Sequence, residues 1–295
     1  MNRVSGLPAY EIGKLSLGKE VFQAANMLSH TPNLDDLDPK TRAFYERVLK
    51  TLNSSGLPFL VGGAYAFERY TGIVRHTKDL DIFVRKSDRD RIFELFAATG
   101  CRTEISFPHW LGKIFYKEDF VDVIFNAANG NHEVDDLWFK HAVEVEVFDI
   151  LVKICSAEEI IRSKALIMER ERYDGADVAH LLHACSERLN WSHLLDRFSS
   201  HWRVLLSHLI LFGFIYPAKR DRIPDWVMQE LLQRLHSEMS SASPTDRVCQ
   251  GTVLSRAQYL VDIEHWGYED ARLRPRGNMS AQEIAQWTAA IEENH

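Results

Sequence analysis

The alternation of apolar and polar positions changes period about halfway along this chain. Through residues 57–148, short apolar runs alternate with polar turns. Past residue 174, apolar positions recur at helical spacing and strand-like runs stop. DPKTRAFYERVLKTLNSSG (38–56) opens the first pattern as a helix, with Asp38 as its cap, Pro39 at the first helical position and Gly56 at the exit. PFLV (58–61) reads as a short buried strand stopped by Gly62-Gly63. AYAFERY (64–70) has the composition of a short helix, and DLDIFV (79–84) that of the next strand. Ser87 with Asp90 approximates a capping box, with Asp in the usual Glu/Gln place, for DRDRIFELFAATG (88–100), which exits at Gly100.

Four strand-like pieces follow: CRTEISF (101–107), LGKIFYKE (111–118), FVDVIFN (120–126) and VEVEVF (143–148). Ser156 with Glu159 forms a capping box for a helix predicted over 157–172. DGADVAHLLHAC (174–185), WSHLLDRF (191–198), HWRVLLSHLILFGFIY (201–216) and WVMQELLQRLHSE (226–238) are helical by period, and the Ser/Pro-rich 237–246 is a linker or mobile loop. The divisions are an N-terminal arm (1–36), a mixed α/β domain (37–150), a helical domain (151–236), and a linker with a C-terminal segment (237–295).

Length and composition narrow the picture. A chain of 295 residues has a prior of about two domains. Its 45% hydrophobic and 26% charged content is that of a globular protein with a core. VLLSHLILFGFIY (204–216) is interrupted by Ser207 and His208 and falls short of the ~18 residues of a membrane span, so no membrane partner is expected. The beginning lacks a secretory pattern. Cys101, Cys155, Cys185 and Cys249 are scattered without a CxxC pair, which argues against a zinc ribbon or disulfide scaffold and for a cytoplasmic protein with reduced thiols. A net charge of −7 makes a general nucleic-acid coat a poor fit.

The chemistry gathers around residues 58–84. On a strand, Asp79 and Asp81 point to one side, and Leu80 and Ile82 to the other. Half-buried neighbouring carboxylates raise one another's pKa unless a cation lies between them. Hard oxygen ligands select Mg²⁺ or Mn²⁺. The plain alternative is a sheet edge with solvated aspartates. Gly62-Gly63, between a strand and a short helix, is either a tight turn or a phosphate-binding turn with exposed N–H groups. Asp122 sits inside an apolar run where aspartate is disfavoured, with Asp119 its rival. Arg75, Thr77 and Lys78 supply donors for an anionic ligand. The aromatics Phe107, Trp110, Phe115 and Tyr116 either pack in the core or stack a base. His180 and His183, one turn apart, read as helix residues rather than zinc ligands.

Gly-Gly, a short helix, Asp-x-Asp on a strand and a third Asp on a nearby strand together resemble the DNA polymerase β-like nucleotidyltransferase superfamily over about residues 57–126. The Gly-to-Asp gap is longer than is usual there. The resemblance implies an α+β fold, a small mixed-sheet nucleotidyltransferase domain followed by a helical domain. It implies a metal-dependent transfer of NMP from an NTP, with pyrophosphate released. Gly62 and Gly63 would contact the triphosphate. Asp79, Asp81 and Asp122 would hold two Mg²⁺ or Mn²⁺ ions, and Asp122 would accept the acceptor's proton. Arg75, Thr77 and Lys164 would orient the nucleotide. RSKALIMERERYDGADVAHLL (162–182) is similar to a segment of abortive-infection, toxin-like nucleotidyltransferases, which adds Lys164 and Asp174 as catalytic candidates and Asp177 beside them. Their plain alternatives are an exposed helix residue and an N-cap. The acceptor is left open among tRNA or other RNA, protein and small molecule, and the toxin-like kinship leaves room for an antitoxin-like partner protein. The rival function is a catalytically idle nucleotidyltransferase-fold binding or regulatory protein.

Overall fold

The computed structural model describes residues 37–75, 77, 79–128 and 130–290. The expectations for the arm at 1–36 and for Lys78 lie outside the described residues. Helix α1 (Pro39–Ser55) begins and ends where its signals place it. Asp38 accepts a hydrogen bond from the Lys40 amide at 2.8 Å, and Gly56 leaves the helix at φ 70°. After β1 (Leu60–Val61), helix α2 (Gly63–Thr71) starts at the glycine pair, and β2 (Leu80–Phe83) carries Asp81. Helix α3 (Arg89–Ala97) has Asp88 at its N-cap position with no side-chain cap bond, so the expected box from Ser87 does not form.

Strands β3 (Arg102–Phe107), β4 (Leu111–Tyr116), β5 (Asp119–Ile124), β6 (Val143–Val147) and β7 (Ile150–Ile154) complete one mixed sheet among the described residues. Its order is β3-β4-β5-β2-β1-β7-β6. β7 lies beyond the boundary expected at residue 150, yet it pairs parallel to β1 through Val61 and Ile154, deep in the sheet. β2 and β5 are parallel, with Leu80 beside Val121 and Asp81 beside Asp122. Leu80, Ile82, Val121 and Val123 are buried on the face that meets α1, whose Thr41 hydroxyl donates to Asp119 Oδ1 at 2.5 Å. The alternation then turns Asp81, Asp122, Phe83 and Ile124 to the opposite face.

Helices α4 (Ala157–Ala165), α5 (Gly175–Cys185), α6 (Trp191–Phe198), α7 (Trp202–Ile215) and α8 (Asp225–Met239) form the helical half. α5 packs against both α2 and α4. The apolar cluster runs from Phe44 to Leu231, so sheet and helices share one core. Helix α4 stops at Ala165, short of the expected residue 172, and the chain folds back with Met168 bridged to Tyr173. Trp191–Ile215 is, by length and composition, long and apolar enough to cross a membrane, which corrects the expectation that no run reaches that length. Trp191, Leu194, Phe198, Leu205 and Phe212 within it are buried in the core. In the C-terminal segment, Ser280 and Glu283 make a complete capping box for α9 (Ala281–Ala289), which rests near β3.

Candidate active site

Asp81 and Asp122 stand side by side at the carboxylate end of a cavity of about 390 Å³, which Asp79 also lines. The strand preceding the glycine pair delivers α2 directly onto β2. The Gly62 amide donates to the Asp81 carbonyl at 2.9 Å. A Cβ on Gly63 would lie 1.7 Å from Asp81 Oδ2, and one on Gly62 would lie 2.1 Å from the Phe83 ring. Gly63 also has a φ of 54°, so both space and backbone require glycine there. The sequence anticipates the pair's place; the structure adds that the pair leaves room for the Asp81 carboxylate. Thr77 makes a local turn, its hydroxyl accepting from the Asp79 amide at 3.2 Å just ahead of β2.

Burial and the charges of Asp122 and Asp79 push Asp81 up to about 7, against the opposing pull of Lys164 and Arg172. Burial also raises Asp122, while Lys113 draws it back. Lys113 is the direct cross-strand partner of Asp122 on β4, and its ammonium donates to Oδ1 at 2.7 Å. Sequence reasoning passed over Lys113. Its signal lay in hairpin arithmetic: the two-residue turn at Lys117-Glu118 pairs Tyr116 with Asp119 and hence Lys113 with Asp122. Asp119 lies on the other sheet face, bonded to Thr41, and so is separated from the cavity.

Lys164 and Asp174 line the same cavity. Asp174 stands at the N-cap position of α5 but makes no capping bond. Its carboxylate accepts from Lys164 at 3.1 Å and from Arg172 at 3.0 and 2.8 Å. Lys164 also lies 2.6 Å from Asp177 Oδ2. Arg75, expected on the nucleotide, grips Asp177 through both guanidinium nitrogens. Burial opposes the charge on Asp174 and Asp177, but these cations hold both carboxyls below the ordinary range. Lys164 is therefore an anchored member of an ion-pair network rather than a free arm. Glu159 departs from its expected place as well. Ser156 accepts from the Glu159 amide at 3.4 Å, yet the Glu159 side chain meets His132 and Arg197, each at 2.7 Å, instead of closing a capping box.

The opposite side of the cavity is aromatic and apolar, built from Trp110, Trp138, Phe83 and, from the C-terminal segment, Trp287. Arg256 lies over the Trp287 ring at 4.5 Å and pairs with Glu169 at 2.7 Å. Of the aromatics singled out in the sequence, Trp110 lines the cavity, Phe107 packs behind it against Trp287, and Phe115 and Tyr116 lie elsewhere. Among the described residues, no group of three His, Cys, Asp or Glu side chains is arranged to hold a metal ion. Asp122 has turned one oxygen to Lys113.

No family model and no curated protein matches the chain. Among solved structures, it is similar to the antibiotic-resistance factor ANT(2'')-Ia at 17% identity over 58% of this chain and 98% of that one, with a TM-score of 0.42. It is similar to the lincosamide antibiotic adenylyltransferase LnuA, solved with lincomycin bound, at 17% identity over 49% of this chain and 96% of that one, TM-score 0.36. A third similar structure is JHP933 from Helicobacter pylori, at 14% identity over 70% of this chain and 99% of that one, TM-score 0.33.

Proposed function

We propose that this protein is a metal-dependent nucleotidyltransferase that moves an NMP from an NTP to an acceptor hydroxyl or phosphate. The observation that carries the reading is the pairing of Asp81 with Asp122 on adjacent parallel strands, inside a cavity and against the amino end of α2. The donor set fits a hard divalent cation. Asp79 and Asp81 offer oxygen ligands, and burial, together with the charges of Asp122 and Asp79, makes the ionised Asp81 costly without a cation beside it. Bound there, Mg²⁺ or Mn²⁺ would supply charge neutralisation for the triphosphate.

The chain's own groups do the rest. The acceptor oxygen attacks the α-phosphorus, the bond from that phosphorus to the β-bridging oxygen breaks, and pyrophosphate leaves with the electron pair. Asp122 takes the acceptor's proton on the oxygen that Lys113 leaves free. The amino end of α2 at Gly62-Gly63 favours the anionic phosphates. Lys164 and Arg172, fixed by Asp174 and Asp177, contribute a positive field at Asp81. The aromatic wall gives a base or an acceptor ring an apolar surface.

Calorimetric titration with non-hydrolysable analogues of ATP, GTP, CTP and UTP, with and without Mg²⁺, tests the reading. Binding that requires Mg²⁺ and is lost in Asp81→Asn is expected. Binding indifferent to both would favour an idle nucleotide-binding fold.

A further inference from the structure

Lys113 is not a surface lysine that happens to reach a carboxylate. The β4–β5 register places it opposite Asp122, so the backbone fixes the approach of the ammonium. Lys113 and Asp122 are both largely covered, their side chains 24% and 16% exposed. The ammonium also lies 3.8 Å from the centre of the Phe120 ring, two residues before Asp122 on the same strand face. Its other cross-strand neighbour, Glu104, is engaged by Arg102, which leaves Lys113 to Asp122. Across β4, β5 and β2 the row reads ammonium, carboxylate, carboxylate.

Given the nucleotidyltransferase reading, on which this inference rests, we propose that Lys113 is a tethered cation standing at Asp122 in place of a second divalent ion, so that the site takes a single ion, on Asp79 and Asp81. A divalent ion bound to Asp122 would meet the ammonium at close range, and their like charges oppose double occupancy. The described residues agree: the three carboxylates do not converge as a ligand trio, and one oxygen of Asp122 is taken up by the Lys113 ammonium.

The test counts ions by equilibrium dialysis of the full chain against MnCl₂, with the protein's melting followed in parallel. The wild type, Lys113→Arg and Asp122→Asn should each bind a single Mn²⁺ ion, because Asp122 is not its ligand. Lys113→Met should gain a second ion. A second ion on the wild type, loss of the ion in Asp122→Asn, or an unchanged count in Lys113→Met would each overturn the proposal while leaving the nucleotidyltransferase reading in place. Should Lys113→Met fail to fold, the Lys113→Arg and Asp122→Asn counts still decide. Absence of Mn²⁺ binding in every protein would overturn the metal reading and this inference with it.

Discussion

At Asp81, burial and two neighbouring carboxylates push one proton equilibrium in the same direction. The folded-state value of about 7 stands above the ordinary 3.8, so the protonated form is favoured by folding. That stability is fully present below about pH 4 and is lost as pH rises through 7, an effect on the order of 4 kcal/mol for this shift. Without divalent cations, the Asp81 contribution should therefore lower the melting temperature from pH 4 to pH 7. Asp81→Asn should flatten that slope, and Mn²⁺ added at pH 8 should raise the melting temperature of the wild type more than that of the variant. In turnover, Asp81→Asn should cost at least about a thousandfold. Gly63→Ala tests the same carboxylate from the other side. A Cβ 1.7 Å from Asp81 Oδ2, on a backbone at φ 54°, must displace the carboxylate or the helix start. We expect it to lose about 1–3 kcal/mol of stability and to weaken Mn²⁺ binding at least about tenfold, read by melting and by dialysis.

At the scale of elements, period-2 alternation was enough to turn Asp81 away from Leu80 and Ile82, whereas Asp79 lies just before β2 and only shares the cavity, and the apolar run around Asp122 singled out the aspartate on the cavity face rather than Asp119. Caps made α1 legible, since Asp38 and Gly56 act locally. Strand β7 was missed because its hairpin turns on Phe148 and Asp149, both at positive φ (53° and 59°), where the usual asparagine or glycine is lacking. The end of α4 was missed because its cause is tertiary. Residues 166–172 are good helix formers, but Glu169 pairs with Arg256 and Arg172 with Asp174, which draws the chain into a turn. The fate of Lys164 was hidden for a similar reason, since Arg75, which shares Asp177 with it, lies 102 residues from that aspartate in sequence. That network changes what Lys164→Ala should do. Removing a cation from Asp174 and Asp177, with Asp177 buried, should cost about 1–3 kcal/mol because Arg75 and Arg172 compensate in part. A lowered melting temperature together with weaker NTP binding is expected. Unchanged melting would return Lys164 to the role of a free phosphate arm.

At the scale of the molecule, the two halves read in the sequence share one core, and the site lies where they meet. The C-terminal segment, which the sequence left without a role, supplies Trp287 and Arg256 to the cavity. Trp287 is 7% exposed, and Trp287→Ala should weaken nucleotide or acceptor binding at least about tenfold, with a stability loss of about 3 kcal/mol. Calorimetry and melting read the two effects separately. In the proposed reaction the α-phosphoryl group moves with its nucleoside. The most direct measurement incubates the full chain and Mg²⁺ with each NTP, labelled at the α- or the γ-phosphate, in the presence of pooled RNA, protein and metabolites. The expected result is an acceptor carrying the α-label, γ-label released as pyrophosphate, and neither product with Asp81→Asn. Transfer of the γ-label to the acceptor, or α-label incorporation undiminished in Asp81→Asn, would contradict it.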